Sequence, residues 1–86
     1  MRVIWKFTVE PGRFSVEMPS GSTFLSVQSQ RGRPQMWFLC DPHAPLRDRW
    51  FRAQPTGVEF DVEGKYLGTF QMDDGDLVFH LFDETP

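Results

Sequence analysis

Cysteine is nearly absent from the 86-residue sequence, which contains only Cys40, and one cysteine cannot form an internal disulfide. A small chain without disulfides is typical of a reducing compartment. No run approaches the roughly 20 apolar residues that a membrane-spanning helix needs. The N-terminal residues 1–12 alternate polar and apolar side chains and contain no hydrophobic segment of the signal-peptide type. We therefore expect a cytoplasmic protein that does not enter a membrane.

Groups that could support catalysis or hold a metal are also scarce. The two histidines, His43 and His80, do not stand at zinc-ligand spacing with the single cysteine. The acidic turn at 73–76 lacks the twelve-residue ligand spacing of a calcium-binding EF-hand loop. No nucleophile stands beside either histidine in the sequence. These absences predict a protein that is not an enzyme and binds neither a metal nor a cofactor.

Aromatic residues are abundant by contrast, with nine Phe, three Trp and one Tyr. Each large ring buries about 150–250 Å² when it enters a core, so these residues offset the small size of the chain. Cys40 lies in the apolar run 36–40 and is expected to be buried with them. We predict one domain over residues 1–83, followed by a disordered tail at 84–86.

Apolar and polar residues alternate along most of the chain, which is the pattern of half-buried β-strands. Turn signals between such runs are Pro11-Gly12, Arg31-Gly32-Arg33 and Asp73-Asp74-Gly75. The pattern predicts a hairpin at 2–18, strands at 24–30, 35–41 and 49–54, a loop at 42–48, a strand or extended loop at 58–62, and a hairpin of strands 66–72 and 76–83. In the third strand, Leu25 and Val27 are expected to face the core.

The fold class follows from the spacing of these turns, which recur every eight to twelve residues. No segment fits a helical period better than the two-residue period. The strand at 35–41 is apolar on both faces, so a central position covered on both sides is expected. We predict an all-β fold, a small antiparallel barrel or sandwich of six to seven strands.

The net charge of −3 is unevenly distributed. Residues 31–52 contain five Arg and two Asp, for a local charge of +3, whereas residues 53–86 carry −7. The negative total argues against general affinity for nucleic acid, which depends on cations that displace phosphate counterions. The central arginines leave a local nucleic-acid site open.

Arginines alternate with aromatic residues after a proline-rich loop at 42–45, and this is the most suggestive feature of the sequence. Three interpretations are open: a charged, solvated edge strand, a protein interface with aromatic and arginine hot spots, or a stacking platform for single-stranded nucleic acid. We favour protein contact over nucleic acid, with Trp37 as an anchor on the neighbouring strand. The predicted contact residues are Trp37, Arg47, Arg49, Trp50, Phe51 and Arg52.

Apolar side chains that are left on an outer sheet face would form a patch that suits a partner. Four residues of the two most apolar strands could contribute to it: Trp37, Leu39, Val78 and Phe82. A homodimer is the simplest use of such a patch, because a two-fold axis needs only one self-complementary surface. A closed barrel would bury both faces and remove the patch.

Several segments, in order and spacing, give the chain a resemblance to a known family. They are Ile4-Trp5-Lys6-Phe7, Val16-Glu17-Met18-Pro19-Ser20-Gly21, Leu25-Ser26-Val27-Gln28, Trp37-Phe38-Leu39-Cys40-Asp41, Arg49 to Arg52, Thr56-Gly57, Tyr66-Leu67-Gly68-Thr69-Phe70-Gln71 and Leu77-Val78-Phe79-His80-Leu81-Phe82. The chain resembles a family of short, uncharacterised proteins of bacteriophages and prophages. The Tyr-Leu-Gly-Thr-Phe-Gln segment and the Phe-His-Leu-Phe ending are its most recognisable parts.

The resemblance implies a phage or prophage origin and a place in the bacterial host cytoplasm. It implies no reaction, so no catalytic residue is carried over. Small accessory phage proteins often bind and inhibit host machinery, which by analogy suggests a non-enzymatic module that binds a host protein and modulates or inhibits it. The alternatives are a single-stranded nucleic-acid-binding domain that uses the same residues and a minor component of the virion.

Overall fold

A computed structural model describes all 86 residues, Met1–Pro86. Its strands are β1 (Val3–Thr8), β2 (Gly12–Pro19), β3 (Thr23–Gln30), β4 (Arg33–Cys40), β5 (Leu46–Pro55), β6 (Lys65–Met72) and β7 (Leu77–Asp83). A short 3₁₀ turn, Asp73–Gly75, is the only helical segment. No helix here has the length and apolar character that would be needed to span a lipid bilayer.

The strands form two antiparallel sheets that pack as a sandwich. The first sheet has the order β1-β4-β3, and the second has the order β2-β5-β7-β6. The all-β prediction is confirmed, with seven strands and a sandwich instead of a closed barrel. The predicted central position of the 35–41 strand is also confirmed, since β4 lies between β1 and β3. The expected cover on both faces is not found, because Trp37 and Leu39 on its outer face are only half-buried.

The predicted hairpin over residues 2–18 is wrong, although both of its strands exist. β1 pairs with β4 and β2 pairs with β5, so the chain crosses from one sheet to the other after β1. The pairing of β1 with β4 continues past its end, because the Val9 N–H donates to the Pro34 carbonyl over 3.0 Å. Val9 is buried, and Gly12 takes a φ of 74°, which a glycine adopts without a steric penalty. The Pro11-Gly12 turn therefore redirects the chain between layers.

Two smaller differences follow from strand pairing. β5 begins at Leu46, inside the predicted 42–48 loop, because β2 supplies partners as far as Pro19. A β-bulge between Phe24 and Ser26 breaks the alternation of β3, so Leu25 is 46% exposed whereas Val27 is buried as expected. Residues 58–62 form a loop without strand pairing, which is one of the two predicted alternatives.

Two predicted tight turns are confirmed. Arg31 and Gly32 join β3 to β4 with φ angles of 52° and 78°, and positive φ at both central residues is the signature of a two-residue hairpin turn whose twist matches its strands. β6 and β7 form the predicted C-terminal hairpin, with the 3₁₀ turn and Asp76 between them. On one side of the sandwich, a strand of each hairpin approaches the other sheet: β3 lies close to β6, and Ser29 Oγ donates to the Gln71 carbonyl.

Phenylalanine rings hold the two sheets together. The Phe38 ring of β4 contacts the rings of Phe7, Phe24 and Phe51, with centroid distances of 5.9, 5.6 and 5.8 Å. Phe51 belongs to β5 of the other sheet, and both it and Phe38 are fully buried. Edge-to-face contacts of this kind each add about 0.5–1.5 kcal/mol beyond burial. Cys40 is fully buried beside them, as the sequence predicted.

Candidate functional site

The five predicted contact residues of β5 do not form one surface. Successive strand side chains point to opposite faces, so Arg47, Arg49 and Phe51 project from one face of β5, and Trp50 and Arg52 project from the other. The first group faces the layer between the sheets, and the second lies on the outer face of the four-stranded sheet. Consecutive residues of a strand can therefore share a binding site only where both faces are open.

Two members of the inward-facing group, Arg49 and Phe51, serve the core, whereas Arg47 is exposed at the end of the strand. Phe51 is fully buried and cannot contact a partner. The Arg49 guanidinium lies 5.4 and 5.7 Å from the ring centroids of Phe38 and Phe51. It also donates to the Ser22 carbonyl over 2.9 Å and to Asp83 Oδ2 over 2.8 Å. Arg49 is a bridge between the loop after β2 and the end of β7, not an exposed contact.

Asp83 is the acidic partner of this bridge. Burial disfavours its charged form, but hydrogen bonds from the side chain and backbone of Thr85 and the contact with Arg49 outweigh burial and lower the pKa of Asp83 below its usual value of 3.8. The Asp83 carboxylate therefore stays ionised at neutral pH and keeps Arg49 at the edge of the core.

On the outer face, one row of side chains crosses all four strands of the second sheet. Strand register places Arg13 opposite Arg52, Arg52 opposite Phe82, and Phe82 opposite Tyr66. Trp50 neighbours the row, and the Arg13 guanidinium lies over its ring at 4.5 Å from the centroid. We call these five residues the Arg–aromatic row.

Two arginines directly opposite each other would repel, and Glu84 removes that conflict. Its side chain is only 1% exposed, and its carboxylate accepts hydrogen bonds from Arg13 Nε over 3.2 Å and from Arg52 Nε over 2.8 Å. The Glu84 N–H donates to the Trp50 carbonyl over 2.8 Å. Glu84 thus fixes both guanidiniums on the sheet.

Residues 84–86 were expected to form a disordered tail, but Glu84 and Thr85 extend β7 alongside β5. The Trp50 N–H donates to Thr85 Oγ1 over 2.9 Å, and the Thr85 hydroxyl donates to the Trp50 carbonyl over 3.3 Å. The backbone of Trp50 is therefore bonded to Thr85 as well as to the N–H of Glu84. The end of the chain is therefore part of the Arg–aromatic row's support.

The aromatic end of the row is partly covered by the loop after β5. The Phe82 ring packs between Tyr66 at 5.6 Å and Phe60 at 5.4 Å, both nearly edge-to-face. Phe82 is half-buried, and Tyr66 remains 53% exposed. Tyr66 is thus the most exposed ring of the row, whereas Trp50 and Phe82 are half-buried.

His80 lies on the same outer sheet face as the Arg–aromatic row, and its ring is hydrogen-bonded to hydroxyl groups. Its Nε2 lies 2.7 Å from Thr56 Oγ1, and its Nδ1 lies 2.9 Å from Thr69 Oγ1, which in turn contacts the Tyr66 hydroxyl. Because both ring nitrogens have partners, His80 links the loop after β5 to β6. No carboxylate contacts this histidine, so the arrangement is that of a structural connection.

The two other predicted contact residues lie apart from the row. Trp37 is half-buried on the outer surface of the three-stranded sheet, in register with Lys6 and Ser26. Arg47 is exposed, and its guanidinium reaches only the Leu46 carbonyl, over 3.2 Å. Of the six predicted residues, the structure brings together Trp50 and Arg52.

Sequence reasoning missed Arg13, Tyr66 and Glu84 as members or supports of the row, and it named Phe82 only as part of an outer apolar patch. They lie on three other segments of the chain, and only strand register brings them beside β5. The Arg–aromatic row is also not concave: none of its five residues lines a cavity. An apolar cleft of about 570 Å³ instead opens between the sheets, with Val9, Pro34 and Phe79 among its walls.

Together these features define a small antiparallel β-sandwich with a fixed row of arginines and aromatic rings across the outer face of one sheet. A family model described as Domain of unknown function (DUF7352) matches residues 1–86, and the chain belongs to this family. The comparison with curated proteins gave no match, and neither did the comparison with solved structures. The expected membership of an uncharacterised family is confirmed, while a phage origin stays a prediction.

Proposed function

We propose that this protein is a non-enzymatic binding module that contacts a protein partner through the Arg–aromatic row. The observation that carries the proposal is the row itself, in which two guanidiniums, an indole and two further rings lie side by side on one open sheet face. Tryptophan, tyrosine and arginine are the residue types that dominate the energetics of protein interfaces.

The row is held in place before any partner arrives. Glu84 fixes Arg13 and Arg52, and the backbone of Trp50 is bonded on the Thr85 side. Ordering a long side chain on binding costs about 0.5–1.5 kcal/mol, and that cost is smaller when the side chain is already ordered. Preorganisation therefore supports the row as a contact surface.

Its shape favours a macromolecule over a small ligand. Small-molecule sites are usually concave and enclose most of the ligand, whereas the residues of the row line no cavity. A flat sheet face matches another protein surface. A bacterial host protein is the proposed partner and modulation or inhibition of it the proposed outcome, on the strength of the resemblance to phage and prophage proteins.

Charge distinguishes protein from nucleic acid as the ligand. Glu84 neutralises part of the charge of Arg13 and Arg52, and Arg13 occupies the face of Trp50 on which a base would stack. Both features weaken a single-stranded nucleic-acid platform, which needs free cations and open rings. A protein surface with an acidic group for Arg13 and an apolar recess for Trp50 fits better.

Affinity capture from a bacterial host lysate, with identification by mass spectrometry, tests the proposal. We expect wild-type protein to retain a specific partner and the double variant Trp50→Ala with Arg13→Ala to lose it. Arg13 is the better arginine to change because its side chain is 45% exposed, so folding suffers less than it would with Arg52.

The matched control is Trp37→Ala with Arg31→Ala, which removes the same residue types from the other sheet and its turn. Retention of the partner by the control and its loss by the test variant would support the row. Equal capture by both variants would refute it. Binding to a single-stranded oligonucleotide that weakens steeply with salt would instead favour the nucleic-acid alternative, and recovery in purified particles would favour a virion component.

A further inference from the structure

Four strands form the edges of the two sheets, and three of them are protected against pairing with another chain. β2 follows Pro11 and ends at Pro19, and proline blocks strand addition. β3 and β6 each contain a bulge and approach one another through Ser29 and Gln71. β1 has none of these features. It contains no proline and no bulge, and it leaves Ile4 60% and Trp5 38% exposed.

The free edge of β1 presents backbone groups that can be assigned. Val9 donates to Pro34 in β4, and alternate residues of an antiparallel strand direct their N–H and C=O groups to opposite sides. Odd-numbered residues of β1 therefore bond to β4, and Ile4, Lys6 and Thr8 direct their backbone groups to the open edge. Lys6 is the one charged residue of β1. Its Nζ donates to Gln30 Oε1 on β3 over 2.9 Å, so its side chain leaves the backbone of the edge open, while its charge still acts on the residue that faces it in a strand pair.

We propose that the β1 edge binds a second copy of this chain, strand to strand and antiparallel, so that two three-stranded sheets become one six-stranded sheet. A two-fold axis through the strand pair needs only one surface, repeated in both copies. This contact uses the sheet opposite the Arg–aromatic row, so it neither requires nor excludes the proposed partner.

Charge selects one register for the pair. Residues with the same backbone direction must face each other, so the axis passes through a residue of β1 and not between two residues. An axis at Ile4 places Arg2 opposite Lys6 of the second copy, and an axis at Lys6 places the two lysines opposite each other. Like charges in these positions destabilise a strand pair.

An axis at Phe7 avoids these conflicts but pairs only Lys6, Phe7 and Thr8 of β1, whereas the axis at Trp5 avoids them and pairs residues 3–7. The axis at Trp5 pairs Trp5 with Trp5, Val3 with Phe7, and Ile4 with Lys6 of the second copy. The inner face then carries apolar pairs, and the outer face carries no like-charge pair. Specific interfaces usually bury about 1,200–2,000 Å² in total, more than a six-residue strand pair supplies, so the dimer is expected to be weak, with a dissociation constant in the micromolar range or above.

The register makes opposite predictions for two substitutions at one exposed position. Ile4→Lys places two like-charge pairs across the axis, and Ile4→Glu replaces them with two opposite-charge pairs. In sedimentation equilibrium over a concentration series, we expect Ile4→Glu to dimerise at least about tenfold more tightly than Ile4→Lys. Circular dichroism verifies that both variants fold.

Val62→Lys and Val62→Glu are the matched controls, because Val62 is 65% exposed in the loop after β5. The protein carries a net charge of −3, so general repulsion alone would favour the lysine variants. Tighter association of Ile4→Glu, with the Val62 pair nearly equal or in the opposite order, would establish the register. A monomer at every wild-type concentration, or the same order at both positions, would overturn the proposal.

Oxidative cross-linking gives a second, independent readout. Facing residues of a non-hydrogen-bonded pair have Cα atoms about 4.5 Å apart, within the range that a disulfide spans. Trp5→Cys should therefore form a disulfide-linked dimer under mild oxidation, while Cys40 is fully buried and does not compete. Failure of Trp5→Cys to cross-link faster than Val62→Cys would refute the axis at Trp5.

Discussion

The carboxylate of Glu84 lies between two guanidinium groups that the pairing of β2 with β5 places opposite each other. Glu84→Gln keeps the shape but leaves Arg13 and Arg52 without a counter-charge. We expect a loss of about 2 kcal/mol in the free energy of unfolding, measured by urea denaturation. Breaking a fully buried pair costs about 3–5 kcal/mol, but here the arginine side chains keep 45% and 26% exposure.

Glu59→Gln is the control for this change, since Glu59 is exposed and forms no salt bridge. Its effect should stay within about 0.5 kcal/mol, as is usual for surface substitutions. Equal effects of the two substitutions would mean that Glu84 does not hold the two arginines in place.

The Arg49–Asp83 pair predicts a dependence of stability on pH. Because folding lowers the pKa of Asp83 below 3.8, the folded state binds its proton less readily than the unfolded state does. The stabilisation is fully present above pH 3.8 and is lost as the pH falls through the lower pKa of the folded state. We expect wild-type protein to be more stable than Asp83→Asn at neutral pH, with the difference shrinking below pH 3.8; a difference that stays constant would contradict this.

At the scale of strands, the sequence predicts elements far better than it predicts their partners. Alternation located most strands and both tight hairpins, because side-chain period and turn chemistry are local properties. The pairing of β1 with β4 is not local, and nothing between Thr8 and Gly12 distinguishes a turn within one sheet from a crossing between two. The predicted inward orientation of Leu25 is wrong for a related reason, since a β-bulge depends on how its strand pairs with the neighbouring strand.

In the candidate site, too, the sequence predicts what is local to one strand and not what depends on strand pairing. Trp50 and Arg52 are two residues apart and share a face, which alternation alone requires, and the same alternation places Phe51 and Arg49 on the other side. Arg13 and Glu84 lie on distant segments of the sequence, so only strand register could join them to Trp50. A row across a sheet can be predicted from sequence only after the strand order is known.

Engineered disulfides test the strand pairing directly. Thr8 and Gln35 face each other across β1 and β4, as a non-hydrogen-bonded pair with Cα atoms about 4.5 Å apart. We expect Thr8→Cys with Gln35→Cys to oxidise to an intramolecular disulfide, detected by faster migration in non-reducing electrophoresis. Thr8→Cys with Ser15→Cys is the control, because a hairpin over 2–18 would place those residues together. A disulfide in the control and none in the test pair would contradict the pairing of β1 with β4 and support a hairpin over 2–18.

Viewed as a whole molecule, the sandwich has one core that neither sheet can complete alone. Phe38 and Phe51 meet from opposite sheets, and Arg49 of the second sheet lies against the Phe38 ring of the first. We therefore expect the sheets to unfold together. Trp37 reports on the first sheet and Trp50 on the second. Two variants that both lack Trp5, and that each retain only one of these two tryptophans, should therefore give coincident fluorescence transitions in urea.

Removal of the central ring gives the strongest form of this prediction. Phe38→Ala deletes contacts with Phe7, Phe24 and Phe51 at once, and a buried Phe→Ala change costs about 3–5 kcal/mol. Because these contacts span both sheets, the transitions reported by the two tryptophan probes should shift together. Phe60→Ala, on the outer face, should cost much less and leave both transitions near their original positions. A shift of one probe without the other after Phe38→Ala would show that the sheets are separate folding units, since a ring shared by both cannot destabilise only one.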